Sequence, residues 1–161
     1  MPSRLGVDAN CFVYYFDGVD QVRGTYLRDN LFIPLARGAM QAFASTLAMS
    51  DLLIPRLRHQ GEEAARDLDL AVGIPGMSIV AVDLAVAFEA AKIRSATGPR
   101  LLDSVHVATA VYAGAEAFLT NDVQLSRASD FIPVLILDDL LRDQDPGASE
   151  HLTADTSGAI L

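Results

Sequence analysis

Four aspartates in this sequence of 161 residues lie at predicted strand ends or on predicted helices, where their carboxylates could meet in one site. Asp8 and Asp122 each follow a short apolar run, Asp103 stands at a predicted helix start, and Asp51 lies within a predicted helix. Carboxylates that meet in one crevice repel one another, and Mg²⁺ or Mn²⁺ relieves this repulsion because hard cations prefer oxygen ligands. A cation held in this way can activate water for attack on a phosphodiester. We predict that these four residues are both the metal ligands and the catalytic residues of one site.

Strands and helices must bring the four aspartates together. Short apolar strands are predicted at residues 5–7, 41–44, 78–82, 117–119 and 132–137. Helices are predicted at residues 10–16, 25–36, 62–72 and 102–113, with others starting after Ser45, after Asp83 and at Asp138. This alternation predicts an α/β fold, a three-layer α/β/α sandwich around a central, mostly parallel sheet of four to five strands. Ligands of such sheets bind beyond the carboxyl ends of the strands, where Asp8 and Asp122 stand.

The predicted helix that carries Asp51 begins after Ser45, a plausible N-cap. Its periodicity places Asp51 on an apolar face with Leu47 and Ile54, where burying an unpaired carboxylate would be costly. Pro55 is expected to kink or end this helix.

Two further helices have predicted apolar faces. The helix after Asp83 presents Leu84, Phe88 and Ala91 on one face. The helix at residues 102–113 is expected to bury Val105, Ala108 and Tyr112. Both faces are interpreted from helical spacing alone.

The composition fits one folded domain. The chain is 51% hydrophobic, which is enough apolar surface for a core. The domain is predicted at residues 1–142, and residues 143–161 are polar and are expected to form a loose tail.

Several kinds of protein are excluded by simple counts. Cys11 is the single cysteine, so neither an internal disulfide nor a Cys-rich zinc site is expected, and a reducing cytoplasm suits the chain. The N-terminus lacks the pattern of a signal peptide, and no apolar run approaches the ~20 residues that span a bilayer. We therefore expect a cytoplasmic protein without membrane contact.

The net charge is −9, and residues 138–161 hold six acidic residues against one arginine. This balance argues against tight non-specific binding of nucleic acids but not against a nuclease that uses a metal and a few arginines. Arg94 and Arg100, close to Asp103 in sequence, are the predicted phosphate contacts. The alternative phosphate contacts are a second basic cluster, Arg56, Arg58 and His59. The default interpretation of both clusters is solvated surface.

Four segments resemble the successive motifs of PIN domains, and most closely those of the VapC-like toxins of bacterial toxin–antitoxin pairs. These segments read GVDAN at residues 6–10, STLAMSD at 45–51, LDSVHVATA at 102–110 and AFLTND at 117–122. The resemblance runs from about residue 4 to 141. It implies a PIN-like fold and Mg²⁺- or Mn²⁺-dependent endoribonuclease activity, with metal-activated water cleaving RNA phosphodiesters.

The resemblance also ranks the acids. It places the metal ligands at Asp8 and Asp103 most firmly, with Asp122 next. The remaining acidic position is usually glutamate in this family, and here it is Asp51, one methylene shorter. The shorter side chain predicts contact with the metal through water, or a weaker site. The toxin interpretation further implies a homodimer and a small antitoxin that inserts a segment into the active-site groove.

Three neighbouring polar residues are candidates for supporting roles. Thr120 is placed to donate a hydrogen bond to a carboxylate or to water in the site, and a turn role is the alternative. Asn10 would orient Asp8 or cap the first helix. His106 shares a helix face with Asp103 and would act as a base or as a hydrogen-bonded structural residue.

Two other functions fit parts of the pattern. The first is a degenerate PIN domain that binds RNA or protein without cutting. The second is phosphotransfer on a similar sheet, by a haloacid-dehalogenase-like phosphatase or a response-regulator receiver. The phosphatase pattern needs an acid where Asn10 stands, and the receiver pattern needs paired acids before the first helix, where residues 2–4 offer none.

Overall fold

Strand β1 (Arg4–Val7) lies at the centre of a parallel sheet in the computed structural model, which describes residues 1–59 and 61–144. The other strands are β2 (Gln41–Ser45), β3 (Met77–Val80), β4 (Ala117–Thr120) and β5 (Val134–Ile136). Their order across the sheet is β3-β2-β1-β4-β5, and each neighbouring pair is parallel. The predicted α/β sandwich with a parallel sheet is confirmed, and the described part of the chain contains the upper number of predicted strands, five.

Helices connect the strands and cover the sheet. They are α1 (Ala9–Asp17), α2 (Gln21–Leu27), α3 (Ile33–Ala36), α4 (Thr46–His59), α5 (Gly61–Val72), α6 (Leu84–Thr97), α7 (Leu101–Tyr112) and α8 (Leu137–Gln144). A π-helical stretch, Arg28–Phe32, joins α2 to α3, and a short 3₁₀ helix, Val123–Ala128, follows β4. Helix α8 extends two residues past the predicted boundary at 142, and most of the predicted tail, residues 145–161, lies outside the described residues.

Polar caps and glycines set the helix ends, and the N-cap of α1 is Asp8, whereas Asn10 lies within the helix and does not cap it. The side chains of Asp8, Ser45 and Asp83 accept hydrogen bonds from backbone N–H groups at the starts of α1, α4 and α6, at 2.7, 3.0 and 3.0 Å. Gly18 and Gly98 end α1 and α6 with φ values of +67° and +73°, which glycine adopts without strain.

The register of β1 and β4 brings the first and last acidic motifs together. Val7 pairs with Leu119. The residues that follow them, Asp8 and Thr120, therefore lie side by side at the carboxyl edge of the sheet. Helix α7 packs tightly over β1, since a Cβ on Gly6 would lie only 2.2 Å from the Cβ of Ala110. This close packing brings the N-terminal turn of α7, which carries Asp103, to the same edge.

Apolar side chains cover both faces of the sheet. Leu119 belongs to the core formed with α1 to α4, whereas its neighbour Phe118 belongs to the core formed with α6 and α7. Alternate residues of a strand point to opposite faces, so β4 is buried on both sides. This double burial is the arrangement expected of a parallel sheet.

Helix α4 corrects the expectation that Asp51 lies on a buried face. Pro55 does not end the helix, which continues to His59. Leu47 and Ile54 are 36% and 45% exposed, so their face is not buried, and the Asp51 side chain is 32% exposed. The buried face of α4 consists of Ala48, Met49 and Leu52.

The predicted apolar face of α6 needs correction, because Leu84 and Phe88 are 86% and 67% exposed. In α7, Val105 and Ala108 are buried as predicted, whereas Tyr112 is 54% exposed. The buried residues of α6 are Val86, Ala90 and Ile93. Helix α6 has large apolar residues on several sides, so spacing could not identify the face that packs. Among the described residues, no helix combines the length and apolar character needed to cross a bilayer.

Candidate functional site

Asp8 occupies the centre of the carboxyl edge of the sheet and is buried. Its carboxylate accepts hydrogen bonds from the backbone N–H of Ala9 at 2.7 Å, from Asn10 Nδ2 at 2.8 Å and from the Thr120 hydroxyl at 2.6 Å. Burial raises the pKa of Asp8, and the hydrogen bond from Thr120 and the nearby His106 oppose that rise. Asp8 is therefore a fixed carboxylate that receives donors but has no formal positive charge bonded to it.

Thr120 links the acids of β1 and of the loop after β4. Its hydroxyl donates to Asp8, and its oxygen accepts from Asn10 Nδ2 at 3.1 Å and from the backbone N–H of Asp122 at 3.0 Å. The hydroxyl is fully buried, so each of these contacts replaces hydration that the group has lost. Thr120 and Asn10, both predicted to support the site, thus contact it directly.

Asp103 and Asp122 lie close enough to influence each other electrostatically. Burial raises the pKa of Asp103, and the negative charge of Asp122 raises it further, while His106 and Arg100 act in the opposite direction. Asp122 also caps the 3₁₀ helix, since its Oδ1 accepts from the N–H of Gln124 at 2.9 Å. Both side chains are half-buried, so solvent reaches this part of the site.

Asp51 is linked to the other acids of the site by its contact with His106. The Asp51 Oδ2 atom lies 3.5 Å from His106 Nε2, without hydrogen-bond geometry. On the other side of the ring, Nδ1 lies 2.8 Å from Ser45 Oγ, in a hydrogen bond whose direction depends on the tautomer. The imidazole is buried, and in its protonated form it lowers the pKa of both Asp8 and Asp103. His106 thus contacts Asp51 and acts electrostatically on two more of the predicted acids.

The chemistry of the donor set fits a hard divalent cation. In the described part of the chain, no lysine or arginine forms an ion pair with any of the four aspartates. Nor do any three His, Cys, Asp or Glu side chains of that part converge closely enough to hold an ion by themselves. Mg²⁺ is commonly bound by one or two carboxylates, with water and substrate phosphates as further ligands. The residues thus suit a cation that takes its remaining ligands from water and from the substrate.

The sequence matches the model of a known protein family. The PIN domain model matches residues 6–130, a span that includes all four aspartates. The chain belongs to the PIN domain family. Comparison with curated proteins finds no match.

Solved structures share the fold of this PIN domain. One is VapBC2 from Rickettsia felis bound to a DNA fragment from its promoter, at a TM-score of 0.64 and 14% identity, covering 83% of this chain and 98% of that chain. Another is a toxin–antitoxin complex from Klebsiella pneumoniae, at a TM-score of 0.60 and 17% identity, covering 84% and 98%. At such low identity, the likeness concerns the fold alone.

The two basic clusters of this PIN domain differ in their surroundings. Arg56 is largely buried and forms ion pairs with Asp67 at 2.9 Å and Asp17 at 3.4 Å, which gives it a structural role. Arg94 and Arg100 are exposed, and Arg100 is the N-cap residue of α7, beside Asp103. These two arginines remain the predicted phosphate contacts.

Sequence reasoning missed a second layer of polar contacts behind the site. The backbone N–H of Asn121 donates to Asn10 Oδ1 at 3.3 Å, and Asn121 Oδ1 accepts from the backbone N–H of Asp138 at 3.1 Å. Asp138 in turn accepts two hydrogen bonds of 2.8 Å from Arg23. Asn121 stands within the motif AFLTND, which marked its position, but nothing in the sequence pairs Arg23 with a residue 115 positions away.

Proposed function

We propose that this PIN domain is a divalent-metal-dependent endoribonuclease and the toxin of a toxin–antitoxin pair. The observation that carries the proposal is the group of carboxylates at the carboxyl edge of the sheet, which includes the buried Asp8 and has no lysine or arginine as an ion-pair partner in the described chain. Carboxylates gathered without a compensating charge are costly, and a bound cation would supply that charge. Activity of this kind is what PIN-domain membership leads us to expect.

The residues of the chain would divide the work. Asp8 and Asp103 would hold Mg²⁺ or Mn²⁺, Asp122 would add to their charge, and Asp51 would contribute from α4. When bound, such a cation activates water for attack on phosphorus and stabilises the leaving oxygen. Thr120 holds Asp8 by its hydrogen bond of 2.6 Å and so keeps the carboxylate facing the cleft.

RNA is the proposed substrate, and we propose that the protein binds it through a small number of contacts. The net charge of −9 disfavours extended electrostatic contact with a polyanion, so binding must come from the cation and a small number of arginines. Arg94 and Arg100 are exposed near the start of α7 and would contact the phosphates. We place this activity in the cytoplasm, where RNA is accessible and a lone thiol stays reduced.

A partner protein and a second copy of the chain belong to the same proposal. The two solved structures described above are, by their names, toxin–antitoxin assemblies or complexes. Exposed apolar side chains on α6, Leu84 and Phe88, support a partner on this chain. Co-expression with the neighbouring gene, followed by size-exclusion chromatography, should give a complex larger than the toxin alone. A free monomer that does not slow growth when expressed alone would count against both partners.

RNA cleavage by purified protein tests the central activity. We expect cleavage with Mg²⁺ or Mn²⁺, none with EDTA, and none by Asp8→Asn. The matched control is Asp69→Asn, which removes an exposed carboxylate from α5 and should cleave like the wild type. Cleavage that survives both EDTA and Asp8→Asn would refute the proposal.

One observation favours a second candidate function, a degenerate PIN domain that binds RNA or protein without cutting. The described residues include no group of three ligand side chains close enough to hold an ion by themselves, and Asp51 stands where glutamate is usual. RNA binding that persists without any Mn²⁺ binding in calorimetry would establish this alternative.

A further inference from the structure

We propose that His106 is a nitrogen ligand of the cation in the acidic site, acting together with Asp51. This ligand would shift the preference of the site from Mg²⁺ towards Mn²⁺ and later transition-metal ions. The inference rests on the proposed function, because it concerns the cation of the same site, and the experiment below separates the two.

The first observation is a buried nitrogen without a partner. The His106 side chain is 2% exposed, and its Nε2 atom has no hydrogen-bond partner among the described residues. A buried polar atom left in this way costs about 1–3 kcal/mol, so folded proteins rarely keep one without a reason. A metal ligand is such a reason, because the nitrogen gains its partner only when the ion binds.

The second observation is where that nitrogen points. Nε2 lies 3.5 Å from Asp51 Oδ2. Two ligands that each lie ~2.1 Å from one cation are ~3.0 Å apart at a right angle and ~3.4 Å apart at a tetrahedral angle. The pair is thus already close to the spacing of two ligands of one ion. The Asp51 side chain is 32% exposed, so an ion can reach the pair from solvent.

The third observation is the support on the other ring nitrogen. Ser45 Oγ lies 2.8 Å from Nδ1 and also accepts from the backbone N–H of Ala48 at 3.0 Å. A serine oxygen has two lone pairs, so it can accept from both N–H groups. In that tautomer the Nε2 lone pair is free, which is the arrangement that metal-binding histidines show with their outer hydrogen-bond partners.

The chemical consequence is a change in metal preference. Sites made only of carboxylates suit Mg²⁺, Ca²⁺ and Mn²⁺, whereas imidazole favours transition-metal ions. One imidazole beside the carboxylates gives a mixed site, which should bind Mn²⁺ more tightly relative to Mg²⁺ than the acids would alone.

Pulsed electron paramagnetic resonance of bound Mn²⁺ provides the test, because it detects a nitrogen nucleus coordinated to the metal. The chain has three histidines, so each can be removed in turn. We expect a nitrogen coupling in the wild type, in His59→Gln and in His151→Gln, and its loss in His106→Asn. Asparagine suits this position because its amide can stay near Ser45 while nothing replaces Nε2.

Affinities measured by calorimetry give a second readout. His106→Asn should weaken Mn²⁺ binding on the order of tenfold and leave Mg²⁺ binding nearly unchanged. Ser45→Ala, which keeps the ligand but removes its support, should weaken Mn²⁺ binding less. Circular dichroism of each variant checks that the fold is retained.

The outcomes separate the two proposals. Bound Mn²⁺ without nitrogen coupling, or a coupling that persists in His106→Asn, would overturn the role of His106. RNA cleavage lost in Asp8→Asn would leave the proposed function standing in that case. If the wild type binds no Mn²⁺, the role of His106 fails, and if it binds no Mg²⁺ either, the proposed function fails as well.

Discussion

The two ends of the acidic site are built differently. At one end, Asp8 is 6% exposed and accepts three hydrogen bonds of 2.6–2.8 Å. At the other end, the Asp51 side chain is 32% exposed, and its contact with His106 spans 3.5 Å. The comparison indicates that the first carboxylate is preorganised, whereas the second can move to meet an ion or a substrate.

The backbone explains this difference. Asp8 follows the central strand of a parallel sheet, and the pairing of Val7 with Leu119 fixes it beside Thr120. Asp51 lies on α4, where Pro55 has no N–H to donate to the Asp51 carbonyl one turn earlier. A helix that lacks this hydrogen bond at the position of the acid is easier to deform there.

The largest predicted effect is the difference between the same substitution, aspartate to asparagine, at the two ends of the acidic site. Asp8→Asn should reduce metal-dependent RNA cleavage by at least about a hundredfold, because it removes a fixed ligand. Asp51→Asn should reduce it only about tenfold, because that acid acts at longer range. Single-turnover cleavage rates at saturating Mn²⁺ measure both. Equal losses would mean that the two ends contribute alike and that the structural contrast has no functional meaning.

A smaller effect is expected from the contacts that hold Asp8. Thr120→Val removes the hydroxyl that donates to Asp8 and leaves the backbone N–H of Asp122 without this acceptor, while the side-chain amide of Asn10 keeps its hydrogen bond to Asp8. We expect a loss of about 1–3 kcal/mol in the free energy of unfolding and a lower cleavage rate. Thr120→Ser keeps the hydroxyl and should retain most of both. Urea unfolding and cleavage assays check the pair, and a stable, fully active Thr120→Val would show that Asp8 does not need this support.

The sequence predicts the preorganised end better than the movable one. Apolar runs that end in Asp8 and Asp122 mark strand ends, and a parallel sheet puts such ends together. The surroundings of Asp51 were mispredicted, because the spacing of Leu47 and Ile54 suggested a buried face that the structure exposes. Local periodicity reports that apolar residues share a side of a helix, but it does not report which side packs.

Contacts between distant segments were beyond prediction for a similar reason. Hydrogen bonds link Asn121 to Asp138 and Asp138 to Arg23. They depend on how α2 and α8 pack beside the sheet, which no local pattern encodes. The hydrogen-bonded partner of His106, Ser45, was predicted only as a helix cap, although it also holds the imidazole.

The smallest predicted effect concerns this outer layer and depends on pH. The hydrogen bonds from Arg23 lower the pKa of Asp138 below its usual value of 3.8. Because the folded-state pKa is the lower one, the stabilisation is fully present above pH 3.8 and is lost as the pH falls through the lowered pKa. Asp138→Asn should therefore cost about 0.5–1 kcal/mol near neutral pH and progressively less in acid, since the pair is partly exposed to solvent.

Unfolding of Asp138→Asn at several pH values measures this contribution. Asp139→Asn is the matched control, because the neighbouring carboxylate is 59% exposed and its ion-pair partner among residues 1–59 and 61–144 is Arg142 on its own helix. It should change stability by less. A cost for Asp138→Asn that stays constant from neutral to acidic pH would contradict the ion pair as its source.

Calorimetric titration of Mn²⁺ into the metal-free protein tests the central claim most directly, since the claim is that the carboxylates at the carboxyl edge of the sheet hold a divalent cation. The account predicts binding by the wild type, weaker binding by Asp51→Asn and none detectable by Asp8→Asn. A wild type that binds no Mn²⁺, or an Asp8→Asn variant that binds it as tightly as the wild type, would contradict the account.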